Sequence, residues 1–278
     1  MNKLPTKKLP VKIIALDLDD TLLKKDLTIS DKNVAVLQRA AAVGIYVVIC
    51  SGRTENAILP YVRRLDIAGL QAGRYIIASN GASVYDLHER HQIYSRLVDE
   101  DVLLHANEEA GKLGLYSEVY DASTIYVPQD NKWTRLDVNL SRLEMQVVPN
   151  FVEFLKRGHP KMVIPGEPEV LQKLQVTLKK DFGARAVVFT SKPYFLEVLP
   201  ANCGKGEALM WLSNRLEIPQ TNTMGFGDSM NDESMIRLSK YGIGMCNGLE
   251  YIQQVAAYVT EKNNEEDGVA DFIEKYVL

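Results

Sequence analysis

Three stretches of this chain are apolar almost without interruption until polar groups stop them: "VKIIALDL" at 11–18, "IYVVIC" at 45–50 and "YIIASNG" at 75–81. A strand with one wet face alternates apolar and polar residues. A strand apolar at every position is buried on both faces, as in a parallel sheet covered by helices. The segments between the runs have helical periodicity. In "SDKNVAVLQRAAAVG", Ser30 is placed to cap the start, Val34, Leu37 and Ala41 share a face, and Gly44 stops the helix. In "TENAILPYVRRLDI", Ala57, Ile58, Tyr61, Val62 and Leu65 share a face, and Pro60 is expected to kink the helix or end it early. The order strand–helix–strand–helix–strand predicts an α/β fold, a parallel-sheet core with helices on both faces.

The pattern returns near the end of the chain. "KGEALMWLSNRLEI" reads as a helix, "TNTMGFGD" as a strand and "NDESMIRLSKYG" as a helix closed by Gly242. "GIGM" and "AAYVT" read as short strands and "GVADFIEKYVL" as a final helix. Residues 88–199 read differently, as helix–strand–strand twice over, which predicts an α/β insert with its own sheet. The expected domains are therefore a core of 1–87 and 200–278 and an insert of 88–199. With 278 residues, 46% of them hydrophobic, the chain can build two cores of this kind.

The chemistry collects where these strands end, which in an open parallel sheet is where ligands bind. The first strand ends in Asp17, Asp19 and Thr21, the second in Ser51, Gly52 and Arg53, and the third in Ser79, Asn80 and Gly81. The strand at 221–228 ends in "GFGDSMND", with Asp228, Asn231 and Asp232. So many carboxylates on one sheet edge require a cation. Oxygen donors without His or Cys point to Mg²⁺. Asp17 and Asp19 are two residues apart and can lean the same way. One can attack phosphorus, giving an aspartyl-phosphate, while the other handles the proton. Lys205, at a helix start, suits a phosphate as a point charge, and the Ser51 hydroxyl and nearby N–H groups suit phosphate oxygens.

These motifs resemble those of the haloacid dehalogenase-like phosphatases. "DLDDTLL" is similar to their D-x-D-x-T signature, "VVICSGR" to the second motif, "CGKGEAL" to the lysine motif and "GFGDSMNDESMI" to the acidic fourth. "IIASNGASVYD" and "EEDGVADFIEKY" resemble the Cof-type subfamily. The resemblance implies a Rossmann-like core with a mobile α/β cap inserted after the third strand. It implies Mg²⁺ held by Asp17, the Asp19 carbonyl and Asp228, with Asp232 as a further candidate ligand. It implies phosphate contacts from the Leu18 backbone, Ser51, Gly52, Lys205 and Asn231. Thr21, Arg53 and Asn80 complete the candidate substrate contacts, although Arg53 could serve an ion pair and Asn80 a turn. Asp20 stands where the family usually has glycine and is expected to point away from the metal. Ser51 replaces the more frequent Thr and keeps the hydroxyl.

The expected activity is Mg²⁺-dependent hydrolysis of small phosphomonoesters, sugar phosphates above all. Rival readings are a phosphotransferase such as a sugar phosphomutase, or a receiver-like phospho-switch, which would need no insert of this size. The net charge of −4 argues against a nucleic-acid partner, and no apolar run is long enough for a membrane span. Cys50, Cys203 and Cys246 form no C-x-x-C pair and read as reduced thiols of a cytoplasmic protein, a monomer or weak homodimer. The basic start "MNKLPTKKLP" has no apolar signal core after it and reads as a short frayed leader. "DLDDTLLKKDLT" mimics an EF-hand loop but lacks its central Gly and final Glu. "GIGMCNG" is an incomplete dinucleotide fingerprint. The four histidines lie in or beside the insert and read as surface or structural groups.

Overall fold

The computed structural model describes residues 4–278. Contacts divide the chain into two compact units. One holds the chain up to Gly52, Ile58–Ile93 and Gly204–Leu278; the other holds Arg53–Ala57 and Tyr94–Cys203. Among the described residues no helix is long and apolar enough to cross a membrane.

In chain order the first unit opens with β1 (Ile13–Leu16), α1 (Asp31–Ala42), β2 (Tyr46–Cys50), α2 (Glu55–Leu65), which belongs to this unit from Ile58 on, and β3 (Tyr75–Ala78). Ser30 caps α1, its hydroxyl accepting from Asn33 N at 3.0 Å. Helix α2 runs through Pro60 without ending. Pro60 and Asn56, whose carbonyl the proline leaves without its helical donor, are both exposed, so water can take that carbonyl. Two strands that the sequence reading did not separate follow: β4 (Ser83–Asp86), antiparallel to β3, and β5 (His91–Ser95). Arg74 pins this hairpin, its guanidinium forking onto both oxygens of the buried Asp86 at 2.6–2.9 Å.

The second unit runs α3 (Glu100–Lys112), β6 (Glu118–Tyr120), β7 (Thr124–Val127), α4 (Lys132–Ser141), β8 (Glu144–Val147), α5 (Phe151–Leu155), β9 (Met162–Pro165), α6 (Pro168–Phe182), β10 (Ala186–Lys192) and β11 (Phe195–Pro200). The two expected helix–strand–strand groups are present. Between them lie α4, β8, α5 and β9, which the sequence reading did not separate; β8, α5 and β9 have only four or five residues each. The sheet order is β10-β11-β9-β6-β7-β8. Val119, Met162 and Val198 turn one face of it into a core with Leu103 and Leu174 of the helices.

The other face carries a buried polar set. Tyr120 Oη donates to Asp137 Oδ2 at 2.5 Å and approaches Glu118 Oε2 at 3.2 Å, while Glu118 Oε1 has no hydrogen-bond partner among the described residues. Burial, and then the Asp137 charge beside it, hold the Glu118 carboxyl well above its ordinary 4.5. The folded chain therefore keeps a proton that the unfolded chain releases near pH 4.5, and this contribution to stability is full below that pH and is lost as pH rises. Glu118→Gln keeps the shape and an N–H donor but does not titrate. Its Tm should exceed that of the parent at pH 8, with the gap closing towards pH 4; a gap independent of pH would refute the protonated carboxyl.

The chain returns to the first unit with α7 (Lys205–Arg215), β12 (Thr223–Gly227), α8 (Glu233–Leu238), β13 (Tyr241–Gly244), α9 (Glu250–Val255), β14 (Tyr258–Val259) and α10 (Gly268–Tyr276). Its eight strands are ordered β14-β13-β12-β1-β2-β3-β4-β5, parallel from β14 to β3. Ile14 and Leu16 face a core shared with Leu37 and Phe272; Ile13 and Ala15, on the opposite face, are equally buried. Two expectations change. Helix α8 ends at Leu238, before Gly242, which lies inside β13 because Ser239–Lys240 already turn the chain back to the sheet. The expected leader is not frayed over its described part: Leu9 and Val11 are buried and Leu9 N donates to Tyr276 O at 2.7 Å. Its first three residues lie outside the described ones.

Candidate active site

Strand β1 delivers Asp17 to the end of the sheet. The residue is still extended, and its N–H donates to Phe226 O at 3.1 Å, the last rung toward β12. The backbone then turns tightly through Leu18–Leu22, closed by Leu23 N on Leu18 O at 2.8 Å. Asp20 makes that turn with φ +60°, a conformation natural to glycine that Asp tolerates better than most residues. This explains how Asp stands where the family has glycine. Asp20 is exposed, outside the carboxylate cluster, and its carbonyl accepts from Asn247 Nδ2 at 2.8 Å.

Strand β12, beside β1, delivers Asp228, and the turn into α8 delivers Asp232. One carboxylate oxygen from each of Asp17, Asp228 and Asp232 lies within 4.8 Å of the others, and all three residues are buried. Helix α7 begins with Lys205, which is fully buried. Its Nζ donates to Asp17 Oδ1 at 2.5 Å and Asp232 Oδ1 at 2.6 Å. One ammonium thus faces three carboxylates. Burial first, then the Asp232 charge, push Asp17 up to about 7. Burial, then Asp232 and Asp17, push Asp228 up to about 9. Burial alone would lower the Lys205 ammonium, but Asp17 and Asp232 outweigh it and hold the group raised.

The donor set fits a hard divalent cation: it is all carboxylate oxygen, and its members are held against their own repulsion. The three carboxylates are not equally available. Asp232 accepts from Lys205 on Oδ1 and from the N–H groups of Asp228 and Ser229 on Oδ2, at 3.0 and 3.1 Å. It anchors the lysine and the turn. Asp228 accepts from the Thr21 hydroxyl at 3.1 Å. The hydroxyl of Thr21, expected at the substrate, is turned to this carboxylate.

Of the other expected residues, Leu18 and Ser51 are buried at the ends of β1 and β2, and Asp19 is half-buried one residue past Leu18. Gly52 packs on the Asn80 amide, and Asn231 Nδ2 donates to Asn80 Oδ1 at 3.1 Å. Arg53 is not brought into this group. It clusters with the second unit, where its guanidinium donates to Leu140 O at 3.2 Å. Sequence reasoning missed the supports. Asn264 Nδ2 donates to Leu23 O at 2.8 Å, Asn247 holds the Asp20 turn, and Ser234 Oγ accepts from Gly206 N at 2.9 Å behind Lys205. Each is a lone polar residue far along the chain from its partner, with no spacing that announces it.

Residues 14–273 match the family model described as haloacid dehalogenase-like hydrolase. An HMP-PP phosphatase of Serratia proteamaculans is 30% identical, covering 96% of this chain and 95% of that protein. A 5-amino-6-(5-phospho-D-ribitylamino)uracil phosphatase of Bacillus subtilis is 27% identical over 95% of this chain and 98% of its own. A crystal structure of a haloacid dehalogenase-like hydrolase from Bacteroides thetaiotaomicron superposes with a TM-score of 0.84 at 28% identity, covering 95% of this chain and 99% of that one.

Proposed function

The chain belongs to the haloacid dehalogenase-like hydrolase family, and from that premise we propose that it is a Mg²⁺-dependent phosphomonoesterase of small phosphorylated metabolites, sugar phosphates foremost. The observation that carries this reading is the buried set of Asp17, Asp228, Asp232 and Lys205 at the strand ends. A carboxylate with an ammonium on one oxygen and further carboxylates close by is arranged to meet an anionic ester alongside a cation. The two relatives compared above are named as phosphatases.

Asp17 acts as nucleophile. A carboxylate oxygen bonds to phosphorus as the bond from phosphorus to the ester oxygen breaks, leaving an aspartyl-phosphate. Asp19 gives its proton to the departing oxygen. It then takes one from the water whose oxygen attacks phosphorus and releases Asp17 and inorganic phosphate. Lys205 balances the charge that builds on the transferring group, while Ser51 and the backbone N–H groups of Leu18 and Gly52 receive its oxygens. Asp17, Asp228 and the Asp19 carbonyl would hold Mg²⁺, which when bound would offset the repulsion between carboxylates and phosphate. Residues 88–199 serve as the cap domain that selects the organic part of the substrate, in a cytoplasmic enzyme.

Activity should therefore appear as inorganic phosphate released from a panel of phosphorylated metabolites with Mg²⁺ present. Excess chelator should abolish it and added Mg²⁺ restore it. Ca²⁺ should restore little, because its looser coordination places the attacking oxygen poorly. Full activity in excess chelator would overturn the metal requirement. Isomerised sugar phosphate without free phosphate would make the enzyme a phosphotransferase.

A further inference from the structure

We infer that Asn80 is a positioning residue: the turn Ser79–Gly81 locks the end of β2, the Asn231 loop and the start of the Lys205 helix into one register. The inference rests on the phosphatase reading and concerns how that site is held rather than what it turns over.

Three consecutive residues in this turn have left-handed backbone: Ser79 at φ +51°, Asn80 at φ +54° and Gly81 at φ +93°. For a non-glycine residue such a conformation is unfavourable and persists only when its surroundings impose it. The surroundings are identifiable. Asn80 N donates to Ser51 O at 3.0 Å, tying the turn to the end of β2. The Asn80 amide reaches the other way. Its Oδ1 accepts from Asn231 Nδ2 at 3.1 Å, and Asn231 Oδ1 in turn accepts from the Ser229 hydroxyl at 2.7 Å. That chain of bonds ends next to Asp228. On the third side, a Cβ on Gly81 would lie 2.0 Å from Gly204 O and 2.9 Å from Lys205 N, so the turn is seated against the backbone that begins α7.

The elements joined in this way are those that must agree to a fraction of an ångström: the Ser51–Gly52 end of β2, the Asp228 loop and Lys205. Asn80 is about 1% exposed and its oxygen is engaged by Asn231, so it is built to hold protein groups rather than to grip a substrate. Gly52 fits the same design. A Cβ there would lie 2.9 Å from Asn80 Oδ1 and 3.0 Å from Nδ2, so glycine at this position lets the amide lie flat on the strand end.

The test uses the full-length enzyme with Mg²⁺ and p-nitrophenyl phosphate. Glycine accepts the φ of Asn80 without strain, so Asn80→Gly removes the amide and keeps the turn. Misplacement of the reacting groups should lower kcat on the order of 10- to 100-fold with little change in KM. Asn231→Ala should produce a loss of similar size. The double variant should be no worse than the poorer single one, because both changes cut the same link. If Asn80→Gly does not fold, Gly52→Ala provides the second route, pushing the amide away from Asn231 with Asn80 in place. It should show the same loss in kcat, and the loss should not deepen when combined with Asn231→Ala. A rise in KM with kcat unchanged, multiplicative losses in the double variant, or a fall in Tm with kcat of the folded fraction intact would each overturn the inference. Absence of phosphate release by the parent enzyme would instead count against the phosphatase reading itself.

Discussion

Asp17→Asn should lose phosphate release by about 10⁴-fold or more while the purified protein stays folded. The amide keeps the size of the carboxylate but cannot attack phosphorus. The structural effect runs the other way. Asp17 is buried and pushed up to about 7, first by burial and then by the Asp232 charge, so as an anion it opposes folding. Lys205 still has Asp232 at 2.6 Å when the Asp17 charge is gone. The Tm of Asp17→Asn should therefore match or exceed that of the parent, measured in chelator so that metal binding does not enter. Turnover and stability would then move apart, which a general loss of structure cannot produce. Near-normal phosphate release from the folded variant would sink the covalent route.

The carboxylate cluster was readable because a parallel sheet converts chain position into spatial position. Residues that end adjacent parallel strands meet at one edge, so the sequence alone brings Asp17 and Asp228 together although they lie 211 positions apart. What could not be read is which way each side chain turns once it arrives. Thr21 lies on the same turn as Asp19 but its hydroxyl goes to Asp228. Arg53 follows Gly52 directly, yet it belongs to the second unit, where it bonds to the Leu140 carbonyl. Asp232 stands in the carboxylate cluster, and its two oxygens also accept from Lys205 and from the N–H groups of Asp228 and Ser229. The same limit applies to the fold. Long apolar runs such as β1 and β2 declare themselves. β8, "EMQV", is mostly exposed and only four residues long, so its alternation is too short to announce a strand, and α5 has only five residues. Their place is set by the strands and helices they pack on, which is tertiary information.

Lys205→Met should lose both activity and stability, and the two losses are separable. Methionine approximates the lysine stem and fills the slot, but it leaves Asp17 and Asp232 buried with no cation between them. Removing one partner of a buried ion pair costs about 3–5 kcal/mol, because the remaining charge is left in a poor solvent. Loss of a positive charge aimed at the transferring group should lower kcat by roughly 10²–10³-fold. Adding Asp232→Asn removes one of the stranded charges, so unfolding by urea in chelator should show much of the stability regained. Phosphate release with Mg²⁺ should not recover, since the asparagine puts no charge where the ammonium was. Lys205→Arg should fare little better than Met in turnover, because a planar fork does not fit a fully buried slot shaped for a point charge 2.5–2.6 Å from two carboxylate oxygens. If the double variant were as unstable as Lys205→Met, the lysine would not be neutralising Asp232. If it regained turnover, the lysine would be an anchor for that carboxylate and not a contributor to phosphoryl transfer.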